Sequence, residues 1–216
     1  MDGFPLIRLA SSCIKKLEDC GLDVEASRDF NKLPQYMADV GKTSLTPKVD
    51  PSMNDFLEGD GVWFGLSKEG QRIAVIASVF QDLGTEGLSA FLLRSTNRQY
   101  GAGAVVSVAP QNVIGIGGRT AYIGELYVSE KFRGKRDWLN AYVTLVMATC
   151  CLDWKADHCY AFFRKRDFMA RMPQLYGFTH CVPGVMRWGR EVEGRDSSET
   201  LASISRPALV HLASLE

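Results

Sequence analysis

The chain has 216 residues, with 25 Lys/Arg against 25 Asp/Glu, 46% hydrophobic and 23% charged residues. These are ordinary values for a folded domain and exclude a wholly disordered chain, while Gly 20 and Pro 8 follow no triplet period and so exclude collagen. A formal net charge of +0 speaks against a polyanion binder over its whole surface but leaves local patches open.

The longest nearly apolar run, 141–152, is about half of the roughly 20 residues that a spanning helix needs. The N-terminus, Met-Asp-Gly-Phe-Pro-Leu, lacks a basic stretch followed by an apolar core, so it does not read as a signal peptide. Six cysteines (Cys13, Cys20, Cys150, Cys151, Cys159 and Cys181) show no zinc-ligand spacing and read as reduced thiols. The expectation is a cytoplasmic protein that does not enter a membrane.

Leu6, Leu9, Ala10, Cys13, Ile14 and Leu17 predict a first helix, with Pro5 in its first turn and Gly21 as its C-terminal cap. Residues 27–60, broken by Pro34, Pro47 and Pro51, read as a short helix and loops. From Gly61 the period changes. Residues 62–66 and 72–80 form a hairpin around Ser67-Lys-Glu-Gly70, and the second strand is apolar enough to be central. The glycine-rich stretch 84–120 reads as turns between short strands. Its Gly115-Ile-Gly-Gly118 is followed by a strand, whereas phosphate cradling of that kind needs a helix.

Ala121–Val128 reads as a strand with Ile123, Glu125 and Tyr127 on one face and Tyr122, Gly124, Leu126 and Val128 on the other. A basic loop follows, then a helix over 138–154 that is apolar nearly all round and therefore buried. A strand at 158–163, a polar helix at 164–174, a late strand region at 177–188, a charged Ser-rich loop at 190–205 and a helix at 207–215 complete the chain. No linker or repeat divides it. It reads as one mixed α/β domain: 1–60 a helical and loop extension packed on that domain, 61–190 the core, 191–216 a surface loop and C-terminal helix.

The informative stretch is Tyr122 to Arg136. Lys131, Arg133, Lys135 and Arg136 put four positive charges in six residues where backbone N–H groups point out of a helix start, a suitable place for phosphates. From Lys131 to Arg171 nine Lys/Arg face four Asp/Glu, so the neutral chain is polarised.

Tyr122-Ile-Gly-Glu-Leu-Tyr-Val-Ser-Glu-Lys-Phe-Arg-Gly-Lys135 resembles the fourth strand and acyl-CoA loop of the GCN5-related N-acetyltransferase (GNAT) superfamily. Gln174-Leu-Tyr-Gly-Phe178 is similar to its closing Gly-Phe signature, and the hairpin 63–80 fits its second and third strands. The resemblance covers roughly 61–188. It implies a single-domain α/β fold with a mixed, largely antiparallel sheet flanked by helices, and transfer of an acetyl or longer acyl group from CoA, or from carrier-protein pantetheine, to an amine. It further implies a strand bulge near Leu126, Tyr127 and Val128 that offers an N–H to the thioester. Lys131, Arg133, Gly134, Lys135 and Arg136 would hold the pyrophosphate of acetyl-CoA or another acyl-CoA, bound as substrate, with Glu125 as base. Tyr176 and Tyr160 are candidate acids; the tyrosine usual in the family would fall at Pro173. The family's loop has a small residue where Arg136 stands, and Asp137 as helix cap would compete with the ligand.

The implied partners are a small-molecule or peptide amine acceptor and an acyl-carrier protein, with a homodimer left open. The alternatives are a catalytically silent binding or regulatory module of this fold, and a nucleic-acid binder using 131–136 and 164–166 beside Tyr160, Phe162 and Phe163. His158, Cys159, His180 and Cys181 point pairwise to opposite faces and repeat no ligand spacing, so no metal is expected.

Overall fold

The computed structural model of the chain describes residues 3–54, 59–134 and 137–215. In chain order its elements are α1 (Gly3–Asp19), β1 (Asp23–Ser27), α2 (Leu33–Val40), β2 (Gly61–Lys68), β3 (Gln71–Asp82), α3 (Leu88–Tyr100), β4 (Val105–Val108), α4 (Gln111–Ile114) and β5 (Arg119–Val128). They continue with α5 (Leu139–Asp153), β6 (His158–Phe163), α6 (Lys165–Met169), α7 (Met172–Leu175), β7 (His180–Pro183), β8 (Met186–Trp188), β9 (Thr200–Ser205) and α8 (Arg206–Ala213). Seven strands form one sheet in the order β1-β2-β3-β5-β6-β9-β7, and β4 pairs with β8 apart from it. Among the described residues β5 and β6 pair in parallel and every other ladder is antiparallel. The mixed, largely antiparallel sheet flanked by helices is therefore as expected.

Side-chain alternation along the strands divides the core into two layers. Val62, Phe64, Ala121, Ile123, Cys159, Ala161 and Phe163 belong to one, packed under α1 and α5. Trp63, Val75, Ala77, Tyr122, Tyr160 and Leu201 belong to the other, under α2, α3 and the 45–54 segment. The first helix buries Leu6, Leu9, Cys13 and Leu17 as a single stripe. It ends where Gly21, at φ +69°, lets its own N–H reach Glu18 O at 2.8 Å and the Leu22 N–H reach Leu17 O at 3.0 Å. Helix α5 is buried on opposite sides at once, including Tyr142, Leu145, Val146 and Met147. It lies between the sheet and α1, and each such side chain contributes roughly 1.5–3 kcal/mol on burial.

Four local expectations are corrected. The segment 23–27 is an edge strand whose residues are exposed or half-buried, so it carries no apolar pattern. Helix α3 occupies 88–100, within the stretch read as turns and short strands; only Leu88, Leu92 and Thr96 are buried, and its polar second half hides the helical period. Residues 200–205 form strand β9 and not a loop. β9 lies between β6 and β7, and its small side chains (Ala202, Ser203, Ser205) disguise a buried strand. The single helix expected over 164–174 is two, broken at Arg171 (φ 57°), with Pro173 in the first turn of α7.

Candidate functional site

The sheet splits between β5 and β6. Their ladder holds only Thr120↔His158, Ala121↔Cys159 and Tyr122↔Tyr160. Past Tyr122, β5 stays with β3 while β6 stays with β9, which leaves a wedge between Ile123–Val128 and Ala161–Phe163. On the α2–α3 face the Tyr122 ring lies 5.4 Å from Tyr160 and 6.1 Å from Phe162, so aromatic rings flank the apex of the wedge.

Immediately beyond the apex β5 bulges. Val75 pairs with Tyr127 and Ala77 with Gly124, so Glu125 and Leu126 together oppose Ile76. Such a bulge leaves the extra residue outside the ladder. Glu125 takes up the turn with φ 58°, a left-handed conformation that costs a non-glycine residue about 1–2 kcal/mol. Gly124 precedes it because a Cβ there would stand 2.8 Å from the Tyr122 ring. The bulge also corrects the simple alternation of faces. Leu126 and Val128 join Ile123 in the α1–α5 layer, while Glu125 and Tyr127 turn to the Tyr122 side.

The Glu125 side chain is fully buried. It pairs with Lys42 Nζ and accepts from both the hydroxyl and the backbone N–H of Thr46, the last at 3.0 Å. The segment after α2 is thus fastened across the bulge. Gly41, at φ +93°, turns the chain into this segment beside the Tyr127 hydroxyl.

The loop after β5 starts with the Ser129 N–H donating to Ile73 O at 2.8 Å. Lys131, Arg133 and Gly134 are exposed. Arg133 donates through Nε to Val128 O (3.1 Å), faces Glu130 at 3.3 Å and lies 5.1 Å from the Tyr127 ring centroid. Its guanidinium is therefore held at the mouth of the wedge. Gly134 adopts φ +88° with open space around it. Lys135 and Arg136 lie outside the described residues. Asp137 does not cap the following helix. Trp138 is the cap residue of α5, and its side chain makes no capping hydrogen bond.

Of the candidate acids, Tyr160 is buried and donates to Gln81 Oε1 at 2.7 Å; burial pushes its pKa well up. Tyr176 is buried in the α1–α5 layer with its ring 6.0 Å from Phe163. Glu125 and Tyr176 thus sit on opposite faces of the sheet. Tyr160 and Phe163 are core residues with little surface to offer a nucleobase, although Arg164, Lys165 and Arg166 are exposed. Among the described residues no group of three or more His, Cys, Asp or Glu could hold a metal ion, and no helix is long and apolar enough to cross a membrane.

Sequence reasoning missed a buried polar group on the α2–α3 face of the wedge. Lys48 is 3% exposed, and its Nζ stands 5.9 Å from the Tyr122 centroid and 5.8 Å from that of Phe162. Burial, with help from the Arg195 charge, pushes the Lys48 ammonium down to about 7. Arg195 donates to Glu199 Oε1 (3.1 Å) and to the Tyr100 hydroxyl (3.2 Å), and Tyr100 packs edge-on against Trp188 at 5.3 Å. Desolvation raises the Glu199 carboxyl, partly offset by Arg195. These residues come from four separate segments. The one sequence signal was a lysine between two prolines, Pro47 and Pro51.

A groove of about 830 Å³ lies on the opposite face between α1, β1, β2 and α5. It is remote from the bulge, since it is lined by Ala10, Ile14, Val24, Phe64, Leu145 and their neighbours.

Neither a family model nor a curated protein sequence matches this chain. Solved structures do. FeeM, an N-acyl amino acid synthase from uncultured soil microbes, is 15% identical with a TM-score of 0.51, over 90% of this chain and 98% of that one. Arabidopsis thaliana NAA60 in complex with acetyl-CoA is 13% identical with a TM-score of 0.48, over 85% of this chain and 98% of that one. Escherichia coli ElaA is 15% identical with a TM-score of 0.46, over 84% and 98%. The sheet order, the parted parallel pair and the likeness to FeeM agree: the chain has the GCN5-related N-acetyltransferase (GNAT) fold.

Proposed function

We propose that this protein is an acyltransferase that moves an acetyl or longer acyl group from a CoA or carrier-protein pantetheine thioester to an amine. The observation that carries this reading is the wedge between β5 and β6 with a bulge at its apex, followed by the exposed Lys131 and Arg133 and by the start of α5, where Trp138 makes no side-chain capping bond. An extended pantetheine needs such a slot between strands. Its pyrophosphate needs the cations and N–H groups that the loop and helix start offer. Arg133, Gly134 and Lys131 would take the phosphates, with Lys135 and Arg136 as further charges. The bulge at Glu125–Leu126 leaves backbone groups out of the ladder, and an N–H there would donate to the thioester carbonyl as it becomes an oxyanion.

In the reaction the amine nitrogen attacks the carbonyl carbon, the new C–N bond forms, and the C–S bond breaks. One proton leaves the nitrogen and the thiolate is protonated on release. Glu125 acts here as a positioning residue: both of its oxygens already accept from Lys42 and Thr46. It holds the 42–46 segment over the bulge, and the amine loses its proton through solvent water or the acceptor-side groups. Tyr176, packed against Phe163, shapes the wedge from the other face. A silent module of this fold is the second reading, favoured by the engagement of Glu125.

Release of free thiol from acetyl-CoA or palmitoyl-CoA in the presence of an amine panel separates the two. Amine-dependent thiol release above the amine-only and acyl-CoA-only blanks is expected. Saturable acyl-CoA binding with no turnover of any amine would leave the silent module, and no binding would remove both.

A further inference from the structure

The polar group over the wedge is built as though a ligand were part of it. Among the described residues five buried side-chain polar atoms on α3 and in 188–199 have no hydrogen-bond partner: Ser95 Oγ, Gln99 Oε1, Trp188 Nε1, Arg195 Nη2 and Glu199 Oε2. Buried polar atoms are nearly always satisfied, so five in one region call for a polar occupant. Its sign follows from the charges. Lys48 and Arg195 are two cations against the single Glu199 carboxylate, and all three are buried or nearly so. Among the described residues Lys48 has aromatic faces for neighbours and no carboxylate within bonding distance. Arg195 spends Nη1 on Glu199 and Nε on Tyr100, and its Nη2 is left over. One ligand carboxylate would neutralise the group and accept from the remaining Nη2 of the guanidinium.

Position decides what kind of anion. Lys48 is perched over Tyr122 and Phe162, one ring on each strand of the wedge, and the Tyr122 ring covers Gly124 at the start of the bulge. A molecule with its carboxylate at Arg195 and Lys48 therefore lies along the α2–α3 face with its other end at the bulge. We propose that Arg195, Lys48 and Trp188 form a carboxylate subsite for the acyl acceptor, which is then a small primary amine bearing a carboxylate, of amino-acid type. This deepens the acyltransferase reading and rests on it for the word acceptor. The carboxylate site itself rests on the buried cations and the unpartnered polar atoms beside them. Glu199 Oε2 and Gln99 Oε1 remain as acceptors for a further donor on the ligand.

The test is binding to the full chain without any thioester. Alanine, leucine and phenylalanine are each titrated against the amine that lacks only the carboxylate. The expected result is at least about tenfold tighter binding of an amino acid than of its partner amine, since an unmet carboxylate contact leaves buried donors unpaired. Lys48→Met and Trp188→Phe should each weaken amino-acid binding several-fold at pH 6 with unchanged circular dichroism. The second variant keeps the ring against Tyr100, so it remains informative should Arg195→Met fail to fold. Equal binding of amine and amino acid, binding of neither, or indifference to both variants would overturn the subsite. Acyl-CoA binding measured in parallel keeps the two ideas apart. Acyl-CoA bound without amino-acid discrimination ends the subsite and spares the acyltransferase, whereas discrimination without acyl-CoA binding does the reverse.

Discussion

Replacing Lys48 by methionine should make the protein more stable at pH 6, and by a margin that shrinks as the pH rises. The lysine ammonium is buried between Tyr122 and Phe162, near the Arg195 charge, and its pKa falls from the ordinary 10.5 to about 7. Because the folded value lies below the unfolded one, the unfolded chain holds more protons between about pH 7 and 10.5, and wild-type stability gains over that window. Below pH 7 the whole penalty is present, on the order of 4–5 kcal/mol. The lost cation–π contacts offset about 0.5–2 kcal/mol of the gain that methionine would bring. Between pH 6 and 9 the difference between variant and wild type should narrow by about 2.5 kcal/mol, nearly all of it above pH 7. Urea unfolding of both proteins at pH 6, 7, 8 and 9 measures this directly. A difference that stays constant within about 0.5 kcal/mol across the series would refute the buried, uncompensated lysine, and the charge argument for the carboxylate subsite with it.

Glu125→Ala leaves Lys42 partly buried without its partner and frees Thr46, so it should cost about 3 kcal/mol in urea unfolding. The double variant with Lys42→Met should recover part of that loss; full additivity of the two changes would show that the pair is not coupled. Gly124→Ala drives a methyl to 2.8 Å from the Tyr122 ring at the apex of the wedge. It should lower stability by about 1–3 kcal/mol by thermal denaturation, and a silent substitution would mean that the bulge relaxes freely. Arg133→Ala should weaken acyl-CoA binding and reduce its salt dependence, measured by calorimetry at two ionic strengths.

The parts of the fold most legible in the sequence were those with a strong period and a clear end. The hairpin read at 62–66 and 72–80 and the helix read at 138–154 correspond to β2–β3 and α5, because burial on both sides leaves a nearly unbroken apolar run, and the strand read at 121–128 from its alternation corresponds to β5. The edge strand β1 has no such run, and β9 alternates Leu201 and Ile204 with serines and alanines that fit any loop. The bulge was implied by resemblance but lay hidden as geometry. Nothing in Gly124-Glu125-Leu126 announces that Glu125 turns to the other face, because what drives it is the Tyr122 ring above and the Lys42–Thr46 segment 79 to 83 residues away. The polar group at Lys48 was least legible of all. Arg195 and Glu199 stand in a stretch so charged and serine-rich that it reads as solvated, and their burial is a product of β8, β9 and α3 coming together. Local charge counting marked the exposed loop at 131–136 and passed over the buried cations.

The central claim is that the wedge and the basic loop receive a pantetheine thioester. Isothermal titration of the 216-residue chain with acetyl-CoA, palmitoyl-CoA and CoA tests it most directly. One-to-one saturable binding of at least one acyl-CoA, weakened in Arg133→Ala, is the predicted result, and absence of heat from all three ligands on protein that unfolds cooperatively would contradict it.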